Sequence, residues 1–261
     1  MKILFIGDIV GSPGRNGFRK ALPGIKQEFG VDFVIANAEN SAGGSGITEK
    51  TAEDLFSAGA DALTSGDHIW KKSEIVPLID KERRILRPAN AAVQAPGRGA
   101  EVFELPGGRR VGVLNLQGRV FMEPSECPFK AAQDALQELS SRAKIIIVDM
   151  HAEATSEKVA MGWFLDGKVS AVLGTHTHVQ TADEEILPQG TAYITDAGMT
   201  GGHRSSIGMK LEGVLPRYLT GMPSKFEVSG DGLAFNGVVI TLDDETGRAV
   251  GITRINERLS H

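Results

Sequence analysis

The chain has 261 residues, of which 23% are charged, with a formal net charge of −5 and one cysteine, Cys127. This mildly acidic balance argues against a general nucleic-acid surface or a membrane-binding surface, and a lone cysteine excludes an internal disulfide. The N-terminal apolar run is too short for a signal peptide, and no stretch approaches the ~18 apolar residues of a membrane span. We therefore expect a cytoplasmic protein that forms one domain over residues 1–261.

Apolar runs of strand length recur along the chain, with helix-like segments between them in its first two-thirds. This alternation predicts an α/β architecture, and the strand-rich tail is expected to add a further sheet or layer. The predicted strands cover residues 3–6, 33–36, 60–64, 101–105, 110–116, 144–148, 169–173, 192–195, 225–228, 237–242 and 250–255.

Helices are predicted between several of these strands. The glycine-rich segment 11–15 is interpreted as a turn. The helix after it reaches Phe29 and is expected to break or restart at Pro23, because proline disturbs a helix interior. Thr48 is a typical N-cap for the next helix, which runs to Ala58. Two more helices are predicted over residues 130–142 and 156–164.

Acids and histidines follow several of the predicted strands directly. In open α/β sheets, ligands bind in the crevice at the carboxyl ends of the strands. If the backbone stays extended through Thr177, His176 and His178 point to the same side, about 6.5 Å apart. The strand ends are therefore expected to bring one set of side chains to a single rim: Asp8, Glu39, Asp67, His151, His176 and His178.

The chemistry of this set points to metal ions. Three carboxylates on one rim repel one another and are costly to desolvate without a counter-charge, which divalent cations supply. Mixed imidazole and carboxylate ligands favour Fe, Mn, Zn, Co or Ni over Ca and Mg. These six residues, or about seven ligands with the adjacent Asn40, are more than one ion needs. We therefore expect two ions ~3.5–4 Å apart, the arrangement used by phosphatases and nucleases.

Five motifs follow one another at these strand ends: Gly7-Asp8, Glu39-Asn40, Gly66-Asp67-His68, His151 and the segment 174–178. Together they resemble the ordered motifs of the calcineurin-like metallophosphoesterases. Segments 7–11, 37–40 and 196–201 are similar to the bacterial YmdB-like branch, and the resemblance covers residues 1 to about 209. It implies a sandwich of two β-sheets flanked by helices (αββα) with a dinuclear metal site. It also implies phosphodiesterase activity on 2′,3′-cyclic nucleotides or related small phosphodiesters.

The resemblance also implies a role for each matching residue. His68 would stay unligated and act as general acid while a metal-bridging hydroxide attacks phosphorus. Val10 replaces the usual histidine two residues after the first aspartate, as it does in the YmdB-like branch, and Asp67 replaces the usual asparagine. The first metal would take Asp8, Glu39, Asn40 and His178, and the second Glu39, Asp67, His151 and His176, with Glu39 bridging.

Two other interpretations remain open at this point. A metal-dependent amide or ester hydrolase would use the same ligands on a carbonyl group. A non-catalytic regulatory or RNA-associated scaffold would hold a structural metal, although structural zinc sites are usually closed, four-coordinate and often contain cysteine. Residues 73–129 and 210–261 are expected to shape the rim, and to supply subunit contacts if the chain forms a homo-oligomer.

Overall fold

A computed structural model describes residues 1–259. The strands are β1 (Lys2–Ile6), β2 (Asp8–Ile9), β3 (Phe33–Asn37), β4 (Ala62–Thr64), β5 (Ala100–Glu104), β6 (Arg110–Gln117), β7 (Ile145–His151), β8 (Ala171–Thr175), β9 (Glu185–Ile186), β10 (Ala192–Ile194), β11 (Met199–Gly202), β12 (Leu233–Leu242) and β13 (Ala249–Arg258). The helices are α1 (Gly11–Phe29), α2 (Glu49–Ala58), α3 (Val76–Ile79), α4 (Pro128–Arg142), α5 (Thr155–Leu165) and α6 (Leu211–Thr220). Among these described helices, none has the length and hydropathy that crossing a bilayer requires.

The strands form two sheets. The first sheet has the order β2-β11-β12-β1-β3-β4, with β13 also paired to β12, and the second has the order β5-β6-β7-β8-β10-β9. Within the first sheet β1, β3 and β4 are parallel, whereas β12 is antiparallel to β1. Within the second sheet β6, β7, β8 and β10 are parallel. Each sheet therefore directs the carboxyl ends of three or more strands to one edge.

Three apolar clusters define the layers of the molecule. The middle cluster joins the inner faces of the two sheets and includes Phe5, Ile35, Val113, Ile147 and Val238. A second cluster packs α1 and α2 against the outer face of the first sheet, and a third packs α4 and α5 against the outer face of the second. The predicted α/β sandwich of two sheets flanked by helices is confirmed.

The first helix differs from its prediction in two respects. α1 is continuous from Gly11 to Phe29 and passes through Pro23 without a break. The helix keeps one buried face on both sides of the proline, with Leu22 and Ile25 fully packed. Packing of this face outweighs the lost backbone hydrogen bond. The segment 11–15, predicted as a turn, is the first part of the helix.

The prediction that the C-terminal strands add a further sheet or layer is wrong. β12 pairs with β1 along Lys2↔Thr241 to Ile6↔Gly237, so the tail completes the first sheet. Val238 and Ile240 join the core between the sheets, which explains why the tail is drawn into it. Segment 225–228 is not a strand either. Only an isolated bridge connects Val228 to Met209, and α6 occupies the preceding region.

Candidate metal centre

The carboxyl ends of parallel strands bring the predicted ligands from both sheets to one edge of the sandwich. In the first sheet these strands are β1, β3 and β4, and in the second they are β7 and β8. A crevice at strand carboxyl ends is where α/β proteins bind ligands. The residues are Asp8 after β1, Glu39 and Asn40 after β3, Asp67 and His68 after β4, His151 at the end of β7, and His176 and His178 after β8.

Four of these residues form a compact cluster. One ligand atom from each of Glu39, Asp67, His151 and His176 lies within 4.8 Å of the others. Nε2 of His151 is 3.2 Å from Glu39 Oε2 and 3.4 Å from Asp67 Oδ1. Gly66 permits this approach, because a Cβ there would lie 2.1 Å from the His151 ring. These are the four residues expected at the second metal, and their ligation of an ion stays a prediction.

The remaining residues form a second group beside the cluster. Nε2 of His178 is 3.7 Å from Asp8 Oδ1 and 3.3 Å from Asn40 Nδ2. The same amide nitrogen donates to Glu39 Oε1 at 3.1 Å, so Glu39 contacts both groups. Asn40 turns its oxygen elsewhere, and Oδ1 accepts from Nδ1 of His68 at 2.8 Å. Because a metal binds the amide oxygen, ligation by Asn40 would require rotation of its amide.

Two orphaned oxygens indicate that cations fit here. Asp8 Oδ1 and Asp67 Oδ1 are buried and accept no hydrogen bond from any residue in the described range 1–259. Asp8 is held by its other oxygen, which accepts from the backbone N–H of His176 at 3.0 Å. A buried carboxylate oxygen without a partner is costly, and a divalent cation would remove that cost. One such oxygen lies in each group, which fits one ion per group.

The backbone does not stay extended through Thr177, so the condition under which both imidazoles would point to one side is not met. β8 ends at Thr175, and the backbone φ is +96° at His176 and +66° at His178. Positive φ is uncommon for residues with a Cβ and costs on the order of 1–3 kcal/mol per residue. The turn separates the two imidazoles, so that His176 joins the four-residue cluster and His178 reaches Asp8.

A buried ion pair supports this turn. Nζ of Lys158 is 2.8 Å from Asp196 Oδ2, and the two side chains are 1% and 0% exposed. The same oxygen accepts from the backbone N–H of Thr177 at 3.0 Å and from its hydroxyl at 2.6 Å. Thr177, the residue between the two histidines, is therefore held in place by a fully buried ion pair.

A hydrogen-bond chain behind the cluster orients His151. Its Nδ1 contacts Thr175 Oγ1 at 2.9 Å, and Thr175 donates to Asp149 Oδ1 at 2.7 Å. Nε2 of His151 is thereby left to face the acids, as expected of a metal ligand. Burial raises the pKa of Asp149 to about 6, although the hydrogen bonds that it accepts act to lower it. Sequence reasoning missed Asp149, although strand alternation puts it on the same face as His151.

The other two imidazoles are oriented in the same way. Nδ1 of His178 donates to the carbonyl oxygen of Ile207 at 3.0 Å, which turns Nε2 toward Asp8. Nε2 of His176 is 3.2 Å from Glu153 Oε2, which turns Nδ1 toward the cluster. Burial, together with the nearby charge of His151, lowers the pKa of His176 to about 4. His176 is therefore neutral at pH 7, the form that binds metal.

His68 lies beside the cluster and faces a cavity. Its backbone N–H donates to Glu39 Oε2 at 3.2 Å, and its Nδ1 is 3.3 Å from Glu39 Oε1. The hydrogen bond to Glu39 raises the pKa of His68, and the negative charges of Glu39 and Asp67 raise it further. Burial acts to lower it, but the net pKa is raised. The cavity has a volume of about 700 Å³ and is also lined by His176 and His178. A half-exposed imidazole at this position can exchange a proton with a molecule in the cavity.

Comparisons with known proteins agree over nearly the whole chain. The sequence model of the family described as YmdB-like protein matches residues 4–255. A Bacillus subtilis (strain 168) protein named 2′,3′-cyclic-nucleotide 2′-phosphodiesterase is 48% identical over 255 residues, which cover 98% of this chain and 96% of that protein.

Two solved structures share the fold at a TM-score of 0.93. One is a hypothetical protein from Thermus thermophilus, which is 40% identical, with 99% of both chains covered. The other is described as a novel phosphatase from Mycoplasma pneumoniae and is 35% identical, with 99% of this chain and 93% of that one covered. On the family match and on these relatives, the chain belongs to the YmdB-like family.

Proposed function

We propose that the chain is a dinuclear metal-dependent phosphodiesterase that hydrolyses 2′,3′-cyclic nucleotides or related small phosphodiesters. The observation that carries this proposal is the pair of orphaned carboxylate oxygens, on Asp8 and Asp67, one in each of the two adjoining groups of acids and imidazoles. The activity named for the Bacillus subtilis relative supports the choice of substrate. The mixed oxygen and nitrogen donors suit iron, manganese or zinc.

The ligands are proposed in two sets that share Glu39. Its two oxygens already face different groups, since Oε1 accepts from Asn40 and Oε2 lies 3.2 Å from His151. A carboxylate that contacts two groups is suited to bridge two ions. The first set is Asp8, Glu39, Asn40 and His178, and the second is Glu39, Asp67, His151 and His176.

In the proposed reaction, the cations and His68 have different roles. When bound, the two cations would activate a water molecule and neutralise charge on the phosphoryl oxygens. His68 would donate its Nε2 proton to the leaving ribose oxygen as the phosphorus–oxygen bond breaks. Nδ1 of His68 lies 3.3 Å from Glu39 Oε1, and Nε2 is the ring nitrogen left for the leaving group. A cyclic phosphate then opens to a phosphomonoester and a free ribose hydroxyl.

The test uses His68→Ala on substrates with different leaving groups. For a 2′,3′-cyclic nucleotide, whose alkoxide needs a proton, we expect turnover to fall ~10²–10⁴-fold. For bis(4-nitrophenyl) phosphate, whose leaving group needs none, the loss should be much smaller. Metal content should not change. His203→Ala is the matched control, because His203 is exposed and lies outside the two groups, with its Nε2 2.8 Å from the carbonyl oxygen of Met199.

The same assays distinguish the other interpretations. Equal losses on both substrates would show that His68 is not the general acid. Turnover of a carboxylic ester without turnover of any phosphodiester would indicate an amide or ester hydrolase. A protein that binds its metals but turns over neither class would be the non-catalytic scaffold.

A further inference from the structure

We propose that the segment 206–226 forms a nucleobase-binding wall of the cavity, with the ring of Tyr218 as its stacking surface. This inference rests on the proposed function, because it assumes that the substrate is a nucleoside phosphate. It assigns a binding surface to the nucleobase, the part of the substrate that the two groups of proposed metal ligands do not contact.

The cavity has two chemically different sides. One side carries Glu39, Asn40 and the imidazoles of His68, His176 and His178. The apolar side chains of the lining come from one stretch of chain: Ile207, Met209, Val214, Tyr218 and Phe226, which we call the apolar wall. A volume of about 700 Å³ lies within the range of small-molecule sites, and a bare phosphodiester would not need the apolar half.

The apolar wall is joined directly to the metal centre. The carbonyl oxygen of Ile207 accepts from Nδ1 of His178 at 3.0 Å. Farther along the chain, the backbone N–H of Lys210 donates to the carbonyl of Glu227 at 2.8 Å, which closes the stretch 210–227 into a loop. The wall therefore stands at a fixed position next to the site of phosphoryl chemistry.

The chemistry places the nucleoside on this side. In a 2′,3′-cyclic nucleotide the leaving oxygen belongs to the ribose, so the ribose and its base stay next to the group that protonates that oxygen. His68 is that group in the proposed mechanism, and it lines the same cavity as Tyr218. The base then extends away from the cations, toward the apolar wall.

Tyr218 is the residue best suited to stack. Its side chain is 80% exposed even though it lines the cavity. The other aromatic ring of the wall, Phe226, already has the guanidinium of Arg217 at 5.3 Å from its centroid. Within residues 1–259, the ring of Tyr218 has no such partner. A base that stacks on an aromatic side chain contributes binding free energy and covers an exposed apolar face.

The experiment compares metal-loaded Tyr218→Ala and Tyr218→Phe with the unmodified protein. For 2′,3′-cyclic AMP, the alanine variant should raise KM about 5- to 100-fold with little change in kcat, and phenylalanine should restore KM. For the base-free substrate methyl riboside 2′,3′-cyclic phosphate, neither KM nor kcat should change in the Tyr218 variants. Calorimetric binding of 3′-AMP provides a readout that needs no turnover, and its Kd should rise by a similar factor. Leu219→Ala is the matched control, since Leu219 is 83% exposed on the same helix and does not line the cavity.

Other outcomes would overturn the inference. They are an unchanged KM and Kd in Tyr218→Ala, equal losses on the base-free substrate, or an equal effect of Leu219→Ala. A change of oligomeric state on Tyr218→Ala, measured by sedimentation, would assign the face to a second copy of the chain. If the unmodified protein hydrolyses neither substrate, the proposed function fails. The Kd for 3′-AMP still decides whether the wall binds a base.

Discussion

Asp67 is one of the two residues at which the chain departs from the motifs that it resembles, and the structure gives it a defined environment. Its Oδ1 is buried, lies 3.4 Å from Nε2 of His151 and accepts no hydrogen bond within the described residues. Burial raises its pKa, but the close approach of His151 and the charges of the His151 and His68 imidazoles outweigh burial, and the net pKa is lowered. An oxygen ligand at this position is what the proposed second metal requires.

Asp67→Asn tests whether the oxygen or the negative charge matters. Asparagine has nearly the same shape and still offers an oxygen, so we expect two metals per chain and activity within about tenfold, ~1.4 kcal/mol in barrier. Asp67→Ala removes the oxygen and should lose the second metal and most activity. Elemental analysis and turnover of both variants check this. If asparagine is as damaging as alanine, the charge itself is required.

At the scale of elements, the turn after β8 is the feature that most determines the site. Its two histidines adopt positive φ, which no sequence pattern indicated, because this conformation is uncommon for residues with a Cβ. The hydrogen bonds from Thr177 to Asp196 stabilise the strained turn. Sequence therefore identified the two imidazoles and the edge that they occupy, but not the geometry that sends them to different groups.

Lys158→Met tests this support. The change leaves the carboxylate of Asp196 buried without its ion-pair partner, which costs about 3–5 kcal/mol. At roughly 2–4 °C per kcal/mol, we expect a Tm lower by about 6–20 °C, together with weaker metal binding. Calorimetry and metal titration measure the two effects.

Two further variants control that experiment. Lys130→Met removes an exposed lysine from α4 and should change neither the Tm nor the metal affinity. The double variant Lys158→Met with Asp196→Asn removes both charges and should recover part of the lost stability. A single Lys158→Met variant with unchanged Tm and metal affinity would show that the ion pair does not support the turn.

Strands were predicted better from the sequence than helix continuity or sheet membership. The strands that lead to Asp8, Glu39, Asp67 and His151 are recognisable as short apolar runs, and a local pattern is sufficient for them. The uninterrupted helix at Pro23 and the place of the tail in the first sheet depend on long-range packing. α6, with its own Pro216, was not predicted for the same reason.

At the scale of the whole molecule, one apolar core joins the two sheets. The candidate metal centre draws residues from both sheets, so it can form only when they pack together. The single domain over residues 1–261 stays a prediction, and from it we expect one cooperative unfolding transition.

The same transition should depend on pH through Glu101. Burial disfavours its charge, but hydrogen bonds from Arg83 and the backbone of Val102, with a further one from Arg98, lower its pKa from 4.5 to about 2. A lowered pKa means that its contribution to stability is present above pH 4.5 and is lost as the pH falls toward 2. Glu101→Gln should therefore be less stable than the unmodified protein at about pH 7, and the difference should shrink toward about pH 3.

Denaturant unfolding at a series of pH values from about 7 down to about 3 checks this prediction. The matched control is Glu104→Gln on the same strand, where the carboxylate is 70% exposed and pairs with the half-exposed Arg110. That control should differ little from the unmodified protein at any pH, because exposed ion pairs contribute little. A stability difference for Glu101→Gln that stays constant over this whole pH range would contradict the assignment.

Anomalous X-ray diffraction from a crystal of the metal-loaded protein tests the dinuclear centre most directly. We expect two anomalous peaks per chain, ~3.5–4 Å apart. One peak should lie beside Asp8 and His178, the other beside His151 and His176, and Glu39 should lie between them. A single peak, or two peaks that do not share Glu39, would contradict the dinuclear centre proposed for this chain.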